Sequence, residues 1–218
     1  MKVLITAGGT TEKIDNVRSI VNISTGKLGC AIAEAFADKG HDVYYICGKN
    51  AAKPNKAGID ILEVLDVQSL QNTITDIFGK HTIDAVIHAM AVSDYRVKSI
   101  STAENFPQSL PVMDKIPSNM ENILLWMEKT PKIIKLFKEI SPASVLVGFK
   151  LLYDIPRETL IETACKLMDD NKCDFVLAND GKEITADAHK GFLIGKNRKY
   201  RELDTKEEIA NAIVEAVT

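Results

Sequence analysis

The chain has 218 residues, of which 45% are apolar, and a formal net charge of −3. This length is enough for one α/β domain with a sizeable core. Charges are spread along the chain, which argues against broad nucleic-acid binding. The absence of any run of about 18 apolar residues excludes a membrane-spanning helix. An anionic ligand must therefore be held locally, by helix N-termini and single lysines.

The predicted elements alternate along the chain. Strands are expected at 2–6, 42–46, 59–64, 83–89, 143–149, 173–179 and 191–195, and helices at 28–40, 67–78, about 157–171 and from Thr205 onward. Alternating strands and helices predict a Rossmann-like α/β fold, in which a parallel sheet has helices on both faces. The stretch at about 97–121 contains three prolines and little periodicity, so we expect a long irregular arm. We expect one domain over residues 1–218.

The N-terminal segment and the cysteines indicate the cellular compartment. The opening MKVLITAGG reads as a strand and a turn rather than a signal peptide, because no cleavage-site pattern follows. The four cysteines show no CxxC or zinc spacing and lie in apolar or mixed segments. We therefore expect reduced, partly buried thiols in a cytoplasmic protein.

Ligands of open α/β sheets bind beyond the carboxyl ends of the strands. That rule directs attention to residues 7–15, 47–52, 89–96, 149–154 and 179–182. Ser24, Thr25 and Gly26 precede a predicted helix, where hydroxyls and free N–H groups can form an anion site. An ordinary Ser/Thr N-cap beside a solvated Lys27 is the alternative.

The Gly-Lys pair does not belong to a P-loop. Leu28 follows Lys27 where a Ser or Thr is required, and Val21 stands where the first Gly should be. The first turn, AGGTTEKID, also lacks the GxGxxG pattern of dinucleotide-binding folds. Both phosphate-binding fingerprints are therefore missing.

The segment ITAGGTTEKIDNVRSIVNISTGKLG resembles the opening of the phosphopantothenate–cysteine ligase family of coenzyme A biosynthesis. The shared features are the Gly-Gly-Thr turn, the Asp-x-Val-Arg motif, an Asn and the Ser-Thr-Gly-Lys helix start. The blocks AMAVSDYR, KIPS, KTPKII, VGFK and LAND follow in the family's order and cover most of the chain. The start at residue 1 resembles the stand-alone bacterial form, so we expect a separate flavoprotein decarboxylase to act next in the pathway.

The resemblance implies a ligase that joins 4′-phosphopantothenate to L-cysteine. The substrate carboxylate would attack the α-phosphate of CTP, with ATP as a possible substitute, to release pyrophosphate and form an acyl-cytidylate. The cysteine amine would then displace CMP. The resemblance also implies Mg²⁺ and a homodimer.

The resemblance further implies site residues. Asn22 and Lys115 would be catalytic, the first at the acyl centre and the second on a mobile loop closing over the triphosphate. Substrate-binding positions would be Arg18, Ser24, Thr25, Gly26 and Lys27. Nucleotide-binding positions would be Gly8, Gly9, Thr10, Ala89, Met90, Asp94, Pro131, Lys132, Ile133 and Phe149. Asp94 would take a ribose hydroxyl or the metal, and the full set of metal ligands is left unassigned.

For several of these residues an ordinary structural role stays open as the alternative. Asn22 can be a turn former, Arg18 a surface ion pair, Asp94 a loop cap and Phe149 a core residue. The chain departs from the family after VGFK and in the spacing of Lys166 and Lys172, which leaves their contact with nucleotide open. The histidines at 41, 81, 88 and 189 are scattered, which favours structural or solvent roles.

Two other functions compete with the ligase. One is an NAD(P)-dependent oxidoreductase on a Rossmann-like fold, against which the missing GxGxxG argues. The other is a non-catalytic nucleotide-binding partner of a flavoprotein. The combined presence of Asn22, Asp94 and Lys115 argues against that second alternative.

Overall fold

The computed structural model describes residues 1–111, 114–185 and 188–218. Its strands are β1 Lys2–Ala7, β2 Thr11–Lys13, β3 Ser19–Val21, β4 Asp42–Gly48, β5 Ile59–Val64, β6 Ala85–His88, β7 Tyr95–Thr102, β8 Ile123–Lys129, β9 Val145–Leu152, β10 Phe175–Asp180, β11 Gly191–Gly195 and β12 Tyr200–Leu203. Its α-helices are α1 Lys27–Asp38, α2 Val67–Lys80, α3 Ile133–Ile140, α4 Arg157–Asn171 and α5 Lys206–Val217.

Eight strands form the main sheet, in the order β12-β11-β10-β9-β6-β1-β4-β5. The strands from β10 to β5 pair in parallel, as predicted, whereas β10–β11 and β11–β12 pair antiparallel. The predicted parallel sheet is therefore extended at this edge by two antiparallel strands. The connections there are too short for the crossover helix that parallel neighbours require.

Helices cover both faces of the sheet, which confirms the Rossmann-like prediction. Ile32 and Phe36 of α1 pack with Ile213 of α5 in the core on one face. The core on the other face receives the apolar sides of α2, α3 and α4. Strands buried on both sides read as continuous apolar runs, which is why β1, β6 and β10 were visible in the sequence.

The predicted irregular arm, 97–121, begins inside a β-hairpin. Strands β7 and β8 pair antiparallel from Tyr95↔Lys129 to Thr102↔Ile123, so of the described residues of the arm only 97–102 belong to a strand. Residues 112 and 113 of the predicted arm lie outside the described residues. A register irregularity between Val97 and Ser99, together with largely exposed side chains, removes the alternation by which the strands would have been recognised.

A second, shorter hairpin was missed in the sequence. Strands β2 and β3 pair antiparallel, and β2 is fixed to the main sheet by a 2.7 Å hydrogen bond from Thr11 N to Leu65 O. The buried Glu12 carboxylate accepts from Val67 N at the start of α2 at 2.9 Å. These contacts place the β3–α1 connection, which contains Asn22, over the carboxyl end of β1.

All four cysteines are free thiols, and all but the half-buried Cys30 are buried, as predicted. Across 1–111, 114–185 and 188–218, no helix combines the length and the apolar character needed to cross a membrane.

Candidate active site

The loops that follow β1 and β6 run together past the carboxyl edge of the sheet. Ala89 N donates to Thr6 O at 3.0 Å, and Ala91 N donates to Gly8 O at 2.8 Å. Thr10 N donates in turn to Ala91 O at 3.1 Å. These backbone bonds extend the parallel pairing of β1 with β6 beyond the strands, and they fix the Gly-Gly-Thr turn beside the AMAVSD block.

A cleft of about 250 Å³ lies above the turn after β1. It is lined by Gly9, Thr11, Val21, Asn22, Ile23, Ser24, Thr25, Lys49, Asn50 and Ala51. The structure therefore brings Asn22 together with Ser24, Thr25 and Gly9 in one cleft. Lys27 is exposed at the start of α1 and does not line this cleft.

Glycine at position 9 is required by the close approach of the β3–α1 connection. A Cβ on Gly9 would lie 2.0 Å from Asn22 O. Asn22 N also donates to Thr10 O at 3.3 Å, so the backbone of Asn22 is held directly against the Gly-Gly-Thr turn. A packing role for Gly9 thus exists independently of any contact with nucleotide.

The start of α1 differs from the ordinary Ser/Thr N-cap. Gly26 is the N-cap, with a left-handed φ of 69°, and within the described ranges no side chain caps the helix. Thr25 Oγ1 lies 3.5 Å from Lys27 N, which is too long for an effective cap. The N–H groups of the first turn are therefore available to an anion at the positive end of the helix dipole.

A buried hydroxyl network connects three of the predicted nucleotide-binding blocks. Thr10 Oγ1 donates to Ser93 Oγ and accepts from Ser93 N, both at 2.9 Å. Thr130 Oγ1 donates to Ser93 O at 2.5 Å. Thr10 is fully buried, and these hydroxyl bonds hold the neighbouring blocks in place.

Asp94 and Lys132 form an ion pair of 2.5 Å at the mouth of this region, with both side chains 62% exposed. Lys132 is the N-cap of α3 and Ile133 its first helical residue, so Pro131 lies just before the helix. Met90 and Ile133 bury their side chains in the core. Phe149 is half-buried and packs against the core on the opposite face.

The turn at 14–18 is bonded to the segment that contains Lys115. The Asp15 carboxylate accepts from Ile116 N at 2.9 Å and from Arg18 Nη1 at 2.7 Å. Arg18 lines a groove of about 450 Å³ together with residues of both hairpins. Since the Asp15 side chain is 1% exposed, the ion pair that Arg18 forms with it is partly buried and is not a plain surface ion pair. Lys115 itself is exposed.

Sequence reasoning directed attention to 47–52 but gave no role to Lys49 and Asn50, which line the same cleft as Asn22. Their signal was positional: they follow β4, the neighbour of β1, at the carboxyl edge of the sheet. Lys172 lies elsewhere. It is the C-cap of α4 just before β10, and so stands at the amino end of that strand, away from Asn22.

In the described part of the chain, no group of three or more His, Cys, Asp and Glu side chains could hold a metal ion. Mg²⁺ commonly uses one or two carboxylates and completes its shell with water and substrate phosphates. The exposed Asp94 fits that use. His88 and His189 are buried, which lowers the pKa of each to about 4 and keeps both neutral.

Comparisons with known proteins agree with this geometry. The family model of the DNA/pantothenate metabolism flavoprotein C-terminal domain matches residues 1–218. The crystal structure of the DNA/pantothenate metabolism flavoprotein from Streptococcus pneumoniae is 38% identical, with a TM-score of 0.91 and coverage of 100% of this chain and 98% of that one. The crystal structure of the C-terminal domain of a coenzyme A biosynthesis bifunctional protein CoaBC is 27% identical, with a TM-score of 0.76 and coverage of 99% and 93%.

Among curated proteins, the coenzyme A biosynthesis bifunctional protein CoaBC of Thermococcus kodakarensis is 35% identical over 213 residues, which cover 97% of this chain and 49% of that protein. The chain thus spans about half the length of the curated relatives it matches. It belongs to the family of DNA/pantothenate metabolism flavoprotein C-terminal domains.

Proposed function

We propose that the protein is a phosphopantothenate–cysteine ligase of coenzyme A biosynthesis. The observation that carries the proposal is the position of Asn22, held against Gly9 in a cleft that opens on the uncapped N-terminus of α1. The family match over the whole chain and the names of the relatives support the same pathway. An amide, an anion site and a loop lysine together suit the joining of two substrates through an activated acid.

In the first half-reaction, the carboxylate of 4′-phosphopantothenate attacks the α-phosphate of CTP and pyrophosphate leaves. The free N–H groups at the start of α1 hold an anionic oxygen, and Lys115 neutralises charge on the triphosphate. Lys49, which lines the same cleft, adds positive charge. ATP is the alternative co-substrate, because no contact among the described residues selects cytosine over adenine.

Asp94, with its exposed carboxylate, would hold Mg²⁺ together with the phosphates. When bound, the metal supplies charge neutralisation and orientation at the phosphates. The ion pair of Asp94 with Lys132 would then open, and would leave the ammonium of Lys132 free to contact the nucleotide.

In the second half-reaction, the cysteine amine attacks the acyl carbon and CMP leaves. The Asn22 side-chain amide donates to the acyl oxygen as it becomes tetrahedral, and its carbonyl oxygen accepts from the incoming amine. The backbone of Asn22 is fixed by Gly9 and Thr10, so the amide is preorganised for this task.

The proposal extends to the compartment of the enzyme, its oligomeric state and the next enzyme of the pathway. The ligase works in the cytoplasm as a homodimer, and a flavoprotein decarboxylase consumes its product. Free, buried thiols suit a reducing compartment. The exposed apolar side chains of Ile23 and Trp126, at 97% and 47%, suit a second subunit.

The test is pyrophosphate release. We expect release to require CTP, Mg²⁺ and 4′-phosphopantothenate, and to proceed in a single turnover without cysteine, because activation precedes amide formation. NADH oxidation without pyrophosphate release would contradict the ligase and favour the oxidoreductase. Nucleotide binding without either reaction would favour a non-catalytic partner of a flavoprotein.

A further inference from the structure

The segment around Lys115 is bonded to the turn at 14–18 on both sides of the lysine. After it, Ile116 N donates to Asp15 Oδ2 at 2.9 Å. Before it, Asp114 O accepts from Asn16 N at 3.0 Å, and Asp114 Oδ1 accepts from Asn16 Nδ2 at 3.1 Å. Lys115 is therefore the single residue between two fixed points, and both points belong to the same turn.

The Asp15 carboxylate divides its two oxygens between two tasks. Oδ1 accepts from Val17 N at 2.8 Å and from Arg18 N at 2.6 Å, which closes the turn itself. Oδ2 accepts from Ile116 N and from Arg18 Nη1, which joins the turn to the Lys115 segment. Arg18 Nη1 also donates to Ile116 O at 3.3 Å, so both backbone groups of Ile116 are held.

Asp15 is suited to hold this junction as a carboxylate. Its side chain is 1% exposed, so water competes little for the bonds. The hydrogen bonds from Ile116 N, Val17 N and Arg18 N, together with the Arg18 guanidinium, hold the pKa of Asp15 well below its usual range. The group is therefore ionised wherever the protein is folded near neutral pH.

The turn at 14–18 is also continuous with strand β3, which precedes Asn22. Residues 14–18 join β2 to β3, and β3 leads directly to Asn22. Three strand residues span roughly 10 Å. The turn thus fixes the loop that contains Lys115 relative to the strand that ends at the acyl centre.

We propose that Asp15 is a positioning residue for Lys115. Its Oδ2 atom couples the Lys115 segment to the β2–β3 hairpin, so that the position of the lysine is fixed relative to Asn22, which follows β3. The proposal rests on the function proposed above for Lys115. Nothing in the mechanism requires Asp15 to touch a substrate.

The test variant is Asp15→Asn. An amide keeps Oδ1 as an acceptor and so preserves the turn, but its NH₂ group cannot accept from Ile116 N or Arg18 Nη1. The matched control is Asp174→Asn. Asp174 also accepts from a backbone N–H, that of Leu146 at 2.8 Å, and pairs with lysines, but at the amino end of β10.

The first readout does not depend on enzyme function. Trypsin cleaves after lysine, and the Lys115–Ile116 bond is restrained by the contacts of Ile116. We expect Asp15→Asn to accelerate appearance of the 1–115 fragment, measured by mass spectrometry under native conditions, and Asp174→Asn to leave that rate unchanged. Equal cleavage in Asp15→Asn and wild type would overturn the proposed coupling.

The second readout is pyrophosphate release in a double-mutant cycle with Lys115→Gln. We expect Asp15→Asn to lower the rate by up to about 100-fold in the wild-type background, as small misplacements do, and to add little when Lys115 is already Gln. Equal losses in both backgrounds would overturn positioning through Lys115. Full release by Lys115→Gln alone would instead refute the proposed role of Lys115, which separates the two failures.

Discussion

At the scale of single residues, space at the carboxyl end of β1 decides which side chains are tolerated. Gly9 lies under the β3–α1 connection, Gly8 faces Ala51, and Gly26 has a left-handed φ of 69° beside the same alanine. The predicted nucleotide-binding role of Gly8 and Gly9 is compatible with this packing, and it stays a prediction. The packing by itself already requires a residue without Cβ at position 9.

Gly9→Ala should therefore destabilise the protein and impair catalysis. The added Cβ would lie 2.0 Å from Asn22 O, so the Asn22 backbone must move. Overpacking of this kind typically costs about 1–3 kcal/mol in the free energy of unfolding. Gly79→Ala is the control, because a Cβ there meets no atom of the described residues within 4 Å and should stabilise α2 by roughly 0.5–1 kcal/mol. Urea denaturation of both variants checks the pair; equal stability would contradict the assigned packing.

Asn22→Ala should separate the two half-reactions. Loss of one oxyanion donor typically costs about 100- to 1000-fold in rate. The cost should fall on attack by cysteine, because the helix N-terminus that holds the phosphates is unchanged. Mass spectrometry of a quenched reaction should then show accumulated phosphopantothenoyl-cytidylate. Equal loss in both halves by a folded variant would make Asn22 a positioning residue only.

Lys115→Gln should depress pyrophosphate release more than it lowers stability. Lys115 is exposed, so little packing is lost with its charge. Lys98→Gln, on strand β7 of the same arm, is the control and should retain activity, because its nearest partners are Glu128 and Trp126. Thermal unfolding and a pyrophosphate assay are measured on both. Normal release by Lys115→Gln would remove this lysine from the site.

At the scale of elements, the two hairpins illustrate why short strands escape sequence analysis. Strands β2 and β3 have three residues each, too few for an alternating pattern to be recognised. The Asp15 turn did carry a local signal, because an Asp that accepts from the N–H two residues ahead is a common turn former. Its second bond, to Ile116, spans 101 positions and leaves no local trace.

Helix boundaries were predicted best where a side chain caps the helix. The closing helix was expected from Thr205, and Thr205 is its N-cap, with Oγ1 accepting from Glu208 N at 3.1 Å. The start of α1 was predicted less well, because Ser24 and Thr25 suggested a hydroxyl cap while Gly26 takes that position. The difference arises from Ala51 and Gly8, which pack against Gly26 from distant parts of the chain.

At the scale of the whole molecule, buried histidines should make stability depend on pH. Burial lowers the pKa of His88 and His189 to about 4, whereas an unfolded histidine titrates near 6.5. Between those values the unfolded chain binds more protons, so the free energy of unfolding should fall as pH falls. The slope is about 1.4 kcal/mol per pH unit for each histidine.

Above pH 6.5 this contribution is fully present, and below about 4 no more of it is lost. His88→Gln should reduce the slope by the share of one histidine, because His88 is buried beside Thr6 Oγ1 and Phe137. The check is urea denaturation of wild type and variant between roughly pH 4.5 and 7, the window set by the folded and unfolded pKa values of histidine. An unchanged slope would show that His88 is protonated or exposed in the folded protein.

The sequence by itself determined the fold class, the family and the edge of the sheet at which a site forms. Continuous apolar strands, helical periodicity and ordered motifs are local or nearly local signals, so they survive without coordinates. The predicted roles of Asn22, Lys115 and the nucleotide-binding positions remain predictions, as does the single domain over 1–218.

Only the tertiary structure decided which motif residues share a surface. It placed Lys49 and Asn50 in the same cleft as Asn22, buried the side chains of Thr10, Met90 and Ile133, and bonded Asp15 to Ile116. These relations depend on sheet order and on contacts between residues far apart in the chain. No local propensity encodes such contacts, because each arises only when the strands that carry the two partners have already paired.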